Sequence, residues 1–462
     1  MSALALILIN RGYCVSGSDE KNNESTERLR QAGVEIFKSQ KAENIQTIYE
    51  RSQIPPLIIS SSAIKPTNPE LKAASDNKLE IWHRSDLLAY LINQQSSILV
   101  AGSHGKTTTS TLLTTLLALT KQDPTSSVGG IIPLYNSNAH AGKGKLLIAE
   151  ADESDGTLIK FEAELGLITN IELDHTDHYS SLEELIITFK KFGKGCNQVL
   201  ANSDCDALKN NIEATYWWST KTTEGVHFAC LPKSITGNET TADFYEEGIL
   251  IGEITLKIPG LHNLSNATGA IAACRIAGID FNDLKHAVSL LQFPSRRFDF
   301  RGNWKGRQIV DDYAHHPSEI KATISMARLM INSGNSPLPQ ISNRLVAVFQ
   351  PHRYSRTKDF IKDFALALSK ADLVLIAPIF DAGETPIKGI SSERLGDFIK
   401  IVNPNLPIFT ATSMDELINI IKEVSSKNDL ILNMGAGDIN TVWQRLYSEN
   451  KKDESSSTLL AA

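Results

Sequence analysis

The sequence predicts an α/β protein of three domains with mostly parallel sheets. Three observations lead there. The chain has 462 residues, which at about 150 residues per domain makes three units, each able to bury a core. Apolar runs of strand length alternate with stretches of helical apolar spacing, the pattern of parallel strands joined by crossover helices. A glycine turn with a lysine, Gly102 to Thr107, lies between one such strand and one such helix.

Composition narrows the function. Hydrophobic residues make up 41% and charged residues 21% of the chain, the balance of a folded globular protein. Lys plus Arg is 46 against 53 Asp plus Glu, a formal net charge of −7. That argues against a general nucleic-acid or acidic-membrane binder, because phosphate surfaces need local basic density. A local anion site remains compatible. The five cysteines, Cys14, Cys196, Cys205, Cys230 and Cys274, form no C-x-x-C pair, against a zinc ribbon or thioredoxin-like motif. Their odd, scattered set fits a reducing compartment. No apolar run approaches the ~18 residues of a bilayer span, and Ala3 to Ile9 lacks a preceding basic region. The expectation is a cytoplasmic protein with no signal peptide and no membrane partner.

The first domain, residues 1–96, reads as a Rossmann-like unit. Met1 to Asn10 has helical character with Gly12 as its stop. Tyr13 to Ser16 reads as a strand ending in Gly17-Ser18-Asp19, and Ser25 to Gln31 as a helix closed by Gly33. An acidic residue at such a strand end suits a ribose hydroxyl, or else is a solvated surface Asp. The first strand and its glycine-rich turn are missing from this pattern. Leu57 to Ser60 gives a further strand, followed by the loop Ser61-Ser62-Ala63-Ile64.

The second domain, 97–293, opens on the strand Ile98 to Ala101, the glycine turn, and a helix to about Leu119. Further strands are expected at Leu146 to Ala149, Gly166 to Ile171 and Gln198 to Ala201, and a helix at Asn266 to Ala277. The third domain, 294–450, carries strand candidates Gln308 to Val310, Leu345 to Phe349, Leu373 to Ala377, Ile408 to Ala411 and Leu430 to Asn433. Helical stretches such as Lys358 to Ser369 intervene, so this domain is expected to be doubly wound. The charged, Ser-rich tail 451–462 is expected to be disordered.

The turn Gly102-Ser103-His104-Gly105-Lys106-Thr107 is the strongest local signal, and it reads as a P-loop. Glycines let successive N–H groups converge on a phosphate, and the following helix adds its positive end. Lys106 brings a full charge to the terminal phosphates, and the Thr107 hydroxyl suits Mg²⁺. A P-loop needs a carboxylate on a neighbouring strand. The run Glu150-Ala151-Asp152-Glu153-Ser154-Asp155 follows the apolar stretch Leu146 to Ala149 directly. Asn170-Ile171-Glu172-Leu173-Asp174-His175 follows the next strand, and a neutral imidazole there could ligate a second divalent ion.

Together these segments resemble the Mur ligase superfamily, ATP-dependent amide-forming enzymes of peptidoglycan precursor synthesis, over nearly the whole chain. The motifs are Gly102 to Thr108, Asp152-Glu153-Ser154, Asn170 to His175, Pro259-Gly260-x-His262-Asn263-x-x-Asn266, Arg296-Arg297-Phe298 and Asp311 to Pro317. The stretches Ala314 to Glu319 and Phe349 to Thr357, with His352-Arg353-Tyr354-Ser355-Arg356, are similar to the branch that joins L-alanine to UDP-N-acetylmuramate. The branch that recycles murein tripeptide shares the first stretch. The resemblance implies ATP as substrate, cradled by the loop amides of Gly102, Ser103, His104 and Gly105 with Lys106. It implies one Mg²⁺ on Thr107 and Glu153 and another on Glu153 and His175. It implies adenine contacts from Asn263 with Asn266 nearby, and nucleotide contacts from Arg297 and Asp312. Attack of the muramate carboxylate on the γ-phosphate would give an acyl phosphate, which the alanine amine opens, with closure of the third domain excluding water. Arg353 and Arg356 suit the amino-acid carboxylate. His315, His316 and His352 remain open candidates for orienting or deprotonating the amine. Asp19, Ser61 and Ser62 are implied in the UDP-sugar pocket.

The pattern departs from the family at the start. Members begin with a strand and a turn of the form Gly-x-Gly-Gly-x-Gly-Met, and Met1 stands at that Met. The expectation is a misplaced start, with about 15 further residues upstream, and weak UDP-sugar binding by the chain as written. Lys38-Ser39-Gln40 stands where Gly-His is frequent. Alternatives are a ligase for a preformed tripeptide and a nucleotide-binding homologue impaired in catalysis. A monomer or a homodimer is compatible with all of this.

Overall fold

Three-residue strands characterise the first 95 residues in the computed structural model, which describes residues 1–448. The tail expected to be disordered, 451–462, lies outside the described residues. Strands β1 (Ser16–Ser18) and β2 (Glu35–Phe37) pair in parallel, as do β3 (Ile58–Ser60) and β4 (Ile81–His83). Helices Glu24–Gln31, Ala42–Ser52, Pro69–Asp76 and Arg84–Ile92 alternate with them. The strand expected at Tyr13 starts later, at Ser16. Its beginning is consumed by the preceding helix Ser2–Asn10, since Gly12 turns at φ +86 and the Tyr13 N–H still caps Leu8 O at 3.1 Å. The next helix starts cleanly because Asn23 and Thr26 form a capping box.

Contacts divide the chain into two units. The first comprises Met1–Ile171, Leu185–Trp218 and Gly269–Leu284, and the second Glu172–Glu184, Ser219–Thr268 and the chain from Lys285 onward. In the first unit, strands β5 (Ser96–Ala101), β6 (Thr125–Ile132), β7 (Ser137–His140), β8 (Leu146–Glu150), β9 (Ala163–Ile168), β10 (Cys196–Asn202) and β11 (Tyr216–Ser219) run in the order β11-β10-β9-β5-β8-β6-β7. All pairs are parallel except β6 with β7. Strand β5 sits between β8 and β9, with Leu99 opposite Ala149 on one side and Gly166 on the other. Ile98 to Ala101 are fully buried, which explains a continuous apolar run rather than an alternating one. The strand expected over Gly166 to Ile171 lies three residues earlier, because Thr169 and Asn170 leave it to hydrogen-bond the glycine turn. Gly166 is therefore mid-strand, where a Cβ would stand 2.6 Å from Cys196 Sγ.

The second unit holds an antiparallel meander of β12 (Phe228–Ile235), β13 (Thr240–Glu246) and β14 (Ile249–Leu256). Sequence reading missed it because its tight turn uses Glu247 and Gly248, at φ +49 and +76, in place of the usual Asn-Gly. The last sheet contains β15 (Asp299–Trp304), β16 (Arg307–Asp312), β17 (Arg344–Phe349), β18 (Leu373–Ile376), β19 (Ile408–Thr410) and β20 (Asp429–Met434), ordered β15-β16-β20-β17-β18-β19. Only β15 is antiparallel. Ile320 and Ile324, Phe364 and Leu368, and Leu395 and Ile399 cover one face. Leu417, Ile421, Val442 and Leu446 cover the other. This part is doubly wound. No helix among the described residues is long and apolar enough to cross a membrane.

Helix Leu261–Ile276 carries Gly269 against Trp218, whose ring is 1% exposed. A Cβ at Gly269 would lie 3.0 Å from one ring carbon and 3.3 Å from two others, and an enclosed ring has no room to yield. Gly269→Ala is expected to destabilise the fold by about 1–3 kcal/mol, read as a lower urea midpoint at unchanged slope.

Candidate active site

The glycine turn after β5 is shaped by positions that only glycine tolerates. Gly102 lies at φ +130, where a Cβ would overlap Thr169 Oγ1 and stand 3.0 Å from Asn170 N and O. Gly105, at φ +82, is the N-cap of helix Lys106–Leu119. Two residues after β9 pin the turn. The Ser103 N–H donates to Asn170 O at 3.0 Å, the His104 N–H to Asn170 Oδ1 at 2.9 Å, and Thr169 Oγ1 to His104 O at 2.6 Å. The helix N-terminus beyond the turn favours an anion. Sequence reading placed Asn170 in a motif but missed this bracing role, since nothing in a spacing of 66 residues announces it.

Lys106 folds back over the turn. Its ammonium donates to Gly102 O at 2.7 Å and to both Glu153 oxygens at 2.8 Å. Glu153 is 1% exposed. Burial opposes the lysine charge, but Glu153, Asp152 and Glu150 outweigh it and hold the ammonium above its ordinary range. Burial pushes the Glu153 carboxyl up to about 7 despite Lys106, with Asp152 adding to the rise. Thr107 meets a different carboxylate from the one expected: its hydroxyl donates to Glu150 at 3.2 Å. Glu150, the last residue of β8, also accepts from Ser110 Oγ at 3.0 Å and the Gly129 N–H at 2.6 Å. Glu150 escaped sequence reading because it was one of four acids in a short run. The hydroxyl of Thr107 and the carboxylate of Glu150 put two oxygen donors side by side at the start of the helix, the ligand type that suits a hard cation such as Mg²⁺.

The expected UDP-sugar residues lie in the first unit. Asp19 accepts from the Lys21 N–H at 2.9 Å, and Ser61 begins the turn after β3. Ser62 is exposed, within 3.2 Å of His83 Nε2 and 3.4 Å of Asp155.

The second unit gathers the histidines and arginines. Asp174 and Arg356, 182 residues apart, form a buried pair in which Nε (3.0 Å) and Nη2 (2.7 Å) both donate to Oδ1. Their side chains are 5% and 6% exposed. Burial would raise the Asp174 carboxyl, but Arg356 first, then His175, His315 and His316, hold it well below the carboxylate range. Arg356 was expected to take an amino-acid carboxylate. Those two nitrogens are instead committed to Asp174, while Nη1 lies 3.4 Å from His352 Nδ1. Arg353 sits at φ +71 before helix Tyr354–Leu368 and reaches Asp177 at 2.6 Å and Glu384 at 3.6 Å. His352 stacks on Phe380 at 5.4 Å. His316 is 2% exposed and caps helix Pro317–Ser333, accepting the Ser318 N–H. His315 lies beside Tyr313 and Glu319. His175 has a strained backbone at φ +52 and donates its N–H to Asp174 at 2.7 Å.

The expected nucleotide contacts also fall in this unit. Asp312 accepts the Phe298 N–H at 2.7 Å on one oxygen and the Ala314 N–H at 2.8 Å on the other. Burial pushes its carboxyl up to about 6, with Arg297 opposing. Its side chain thus staples together the segments that enter and leave the β15–β16 hairpin at its open end. Arg297 lies over the Tyr313 ring at 5.5 Å and 3.7 Å from Glu319. Asn263 is buried and donates to Pro259 O at 2.8 Å, and Asn266 follows on the same helix, partly exposed.

A strand-to-helix phosphate turn with a lysine–glutamate pair, and a separate doubly wound sheet carrying clustered histidines and arginines, define a nucleotide-dependent ligase of the Mur ligase family. The chain belongs to that family: its profiles match as Mur ligase family, catalytic domain, over 1–96, Mur ligase middle domain over 100–274, and Mur ligase, glutamate ligase domain, over 296–437. It is 60% identical to the UDP-N-acetylmuramate–L-alanine ligase of Prochlorococcus marinus (strain MIT 9303), over 96% of this chain and 91% of that one. It is 56% identical to the enzyme of the same name from Synechococcus sp. (strain CC9605), over 97% and 96%. The crystal structure of UDP-N-acetylmuramate-alanine ligase from Thermotoga maritima is similar at a TM-score of 0.80 and 26% identity, covering 98% of this chain and 97% of that one.

Two substitutions test this geometry. Gly102→Ala combines backbone strain of about 1–3 kcal/mol with a steric overlap, and is expected to weaken ATP binding about tenfold or more by calorimetry. Asp174→Asn strips the partner from a buried guanidinium and is expected to cost about 3–5 kcal/mol in urea unfolding at neutral pH. Because the folded Asp174 carboxyl is held low, its contribution is present above the ordinary carboxylate range and is lost as pH falls through the folded value. The gap between the two proteins should therefore close on acidification.

Proposed function

We propose that this protein joins L-alanine to the carboxylate of UDP-N-acetylmuramate, with cleavage of ATP to ADP and phosphate, in peptidoglycan precursor synthesis. The observation that carries this reading is 60% identity over nearly the whole chain to a ligase of that name. Five free cysteines support a cytoplasmic location.

The chemistry explains why these residues are needed. A carboxylate approaching a triphosphate meets Coulomb repulsion, which the Lys106 ammonium and the positive helix end offset. The sugar acid's oxygen bonds to the γ-phosphorus as the bridging P–O bond breaks, leaving ADP and an acyl phosphate. Lys106 is poised for that charge because it is already held by Glu153 beside the turn. A Mg²⁺ held at the Thr107 hydroxyl, with the Glu150 carboxylate beside it, would neutralise phosphate charge. In the second step the alanine amine attacks the acyl carbon and phosphate leaves. Arg353, partly exposed and bonded to Asp177, is the cation best able to exchange partners for the alanine carboxylate.

Measuring ADP release tests both parts of the reading. With UDP-N-acetylmuramate present, kcat/KM is expected to be higher for L-alanine than for the tripeptide L-alanyl-γ-D-glutamyl-meso-diaminopimelate. Lys106→Ala is expected to lower kcat by at least about 100-fold. Preference for the tripeptide would reassign the substrate, and undiminished turnover in Lys106→Ala would remove the acyl-phosphate step.

A further inference from the structure

Three histidines stand close together in the second unit, and their hydrogen-bond partners differ in a way that fixes where each ring keeps its proton. His315 Nδ1 faces the Tyr313 carbonyl at 2.9 Å and Glu319 Oε2 at 3.4 Å. Both neighbours only accept, so the proton of the neutral ring sits on Nδ1 and Nε2 keeps the lone pair. His352 Nδ1 lies 3.4 Å from Arg356 Nη1, a group that only donates, so its lone pair points at the guanidinium and its proton is on Nε2. His316 Nδ1 accepts the Ser318 N–H at 3.4 Å as a helix cap, so its lone pair is engaged as well. These tautomers are assigned from the partners each nitrogen meets. His315 alone of the three leaves a lone pair uncommitted at Nε2, and its side chain retains 16% exposure.

We propose that His315, oriented by Glu319, is the general base that takes the proton from the ammonium group of the incoming amino acid. This rests on the ligase reading above and assigns the proton transfer within it. The geometry follows the logic of a carboxylate–imidazole pair, in which the acid fixes the tautomer and stabilises the imidazolium once it forms. Glu319 is itself firmly positioned, since it accepts the His315 N–H at 3.0 Å and lies 3.7 Å from Arg297. The charged and titratable groups around His315 are Glu319 and His316 from the helix start, Tyr313 and Arg297 from the preceding segment, Arg356 and His352 from the helix beginning at Tyr354 and the residues before it, and Asp174 from the 172–184 loop. Burial and Arg356 pull the His315 ring down to about 4 while Glu319 and Asp174 oppose them, so the ring is neutral at neutral pH.

In the transfer, an ammonium N–H bond breaks and an Nε2–H bond forms, giving imidazolium and a free amine. The amine lone pair forms the C–N bond to the acyl carbon, and the C–O bond to phosphate breaks with its electron pair leaving on phosphate. The imidazolium returns its proton to that phosphate, and the second amine proton passes to solvent as the amide forms.

The test compares two nucleophiles on the full-length protein. Hydroxylamine is mostly unprotonated at neutral pH and opens acyl phosphates without a base, whereas alanine arrives as an ammonium. In His315→Gln, kcat/KM for L-alanine is expected to fall about 10²–10⁴-fold, while ATP- and UDP-N-acetylmuramate-dependent hydroxamate formation stays near that of the unsubstituted protein. Glu319→Gln keeps a side-chain acceptor for the His315 N–H but removes the charge, and is expected to slow the alanine reaction and spare the hydroxamate. If His315→Gln does not fold, the Glu319→Gln comparison decides. An undiminished alanine rate, or an equal loss with both nucleophiles, overturns the assignment. Failure of the unsubstituted protein to form any hydroxamate would instead remove the ligase reading itself.

Discussion

Keeping an ammonium largely out of water beside the phosphate turn is the constraint from which the first unit is built. The Lys106 charge is costly to bury alone, and Glu153, itself almost fully enclosed, makes that placement tolerable. The pairing holds the lysine against Gly102 O and so keeps the turn closed. It also demands rigid support, which Thr169 and Asn170 supply from the end of β9. Central strands, a glycine turn and a paired lysine are therefore one physical arrangement, with each part required by the others.

The second unit solves a similar problem with the charges reversed. There a buried carboxylate, Asp174, is stabilised by Arg356, and the guanidinium in turn occupies the Nδ1 of His352. The pair is close to neutral, so neighbouring imidazoles feel burial more than charge, which is why His315 and His352 are both drawn down to about 4. Backbone roles are interwoven with these side chains. Asp312 staples two loops, and His316 caps a helix. Residues that look like ligand contacts in a motif thus serve partly to hold the scaffold in place.

The parts legible in the sequence were those governed by local rules. Buried parallel strands read as apolar runs, so β5, β8, β17 and β20 were found within two residues at either end. The phosphate turn was legible because glycine and lysine spacing is itself the mechanism. The meander of β12 to β14 was not, since only β13 alternates regularly and the turn after it lacks Asn-Gly. Among site residues, Glu150, Asn170, Asp174 and Glu319 were present in quoted stretches, yet their roles depend on partners 4 to 182 residues away. Only folding reveals which acid faces Thr107 and which faces Lys106.

Gly129 shows how far such dependence reaches. A Cβ there would stand 2.9 Å from Glu150 and 3.1 Å from Thr107, and the Gly129 N–H donates to Glu150 at 2.6 Å, so three separate segments meet at one point. A larger side chain at 129 would therefore be felt first at Thr107 and Glu150, two residues of the phosphate turn and its neighbouring strand.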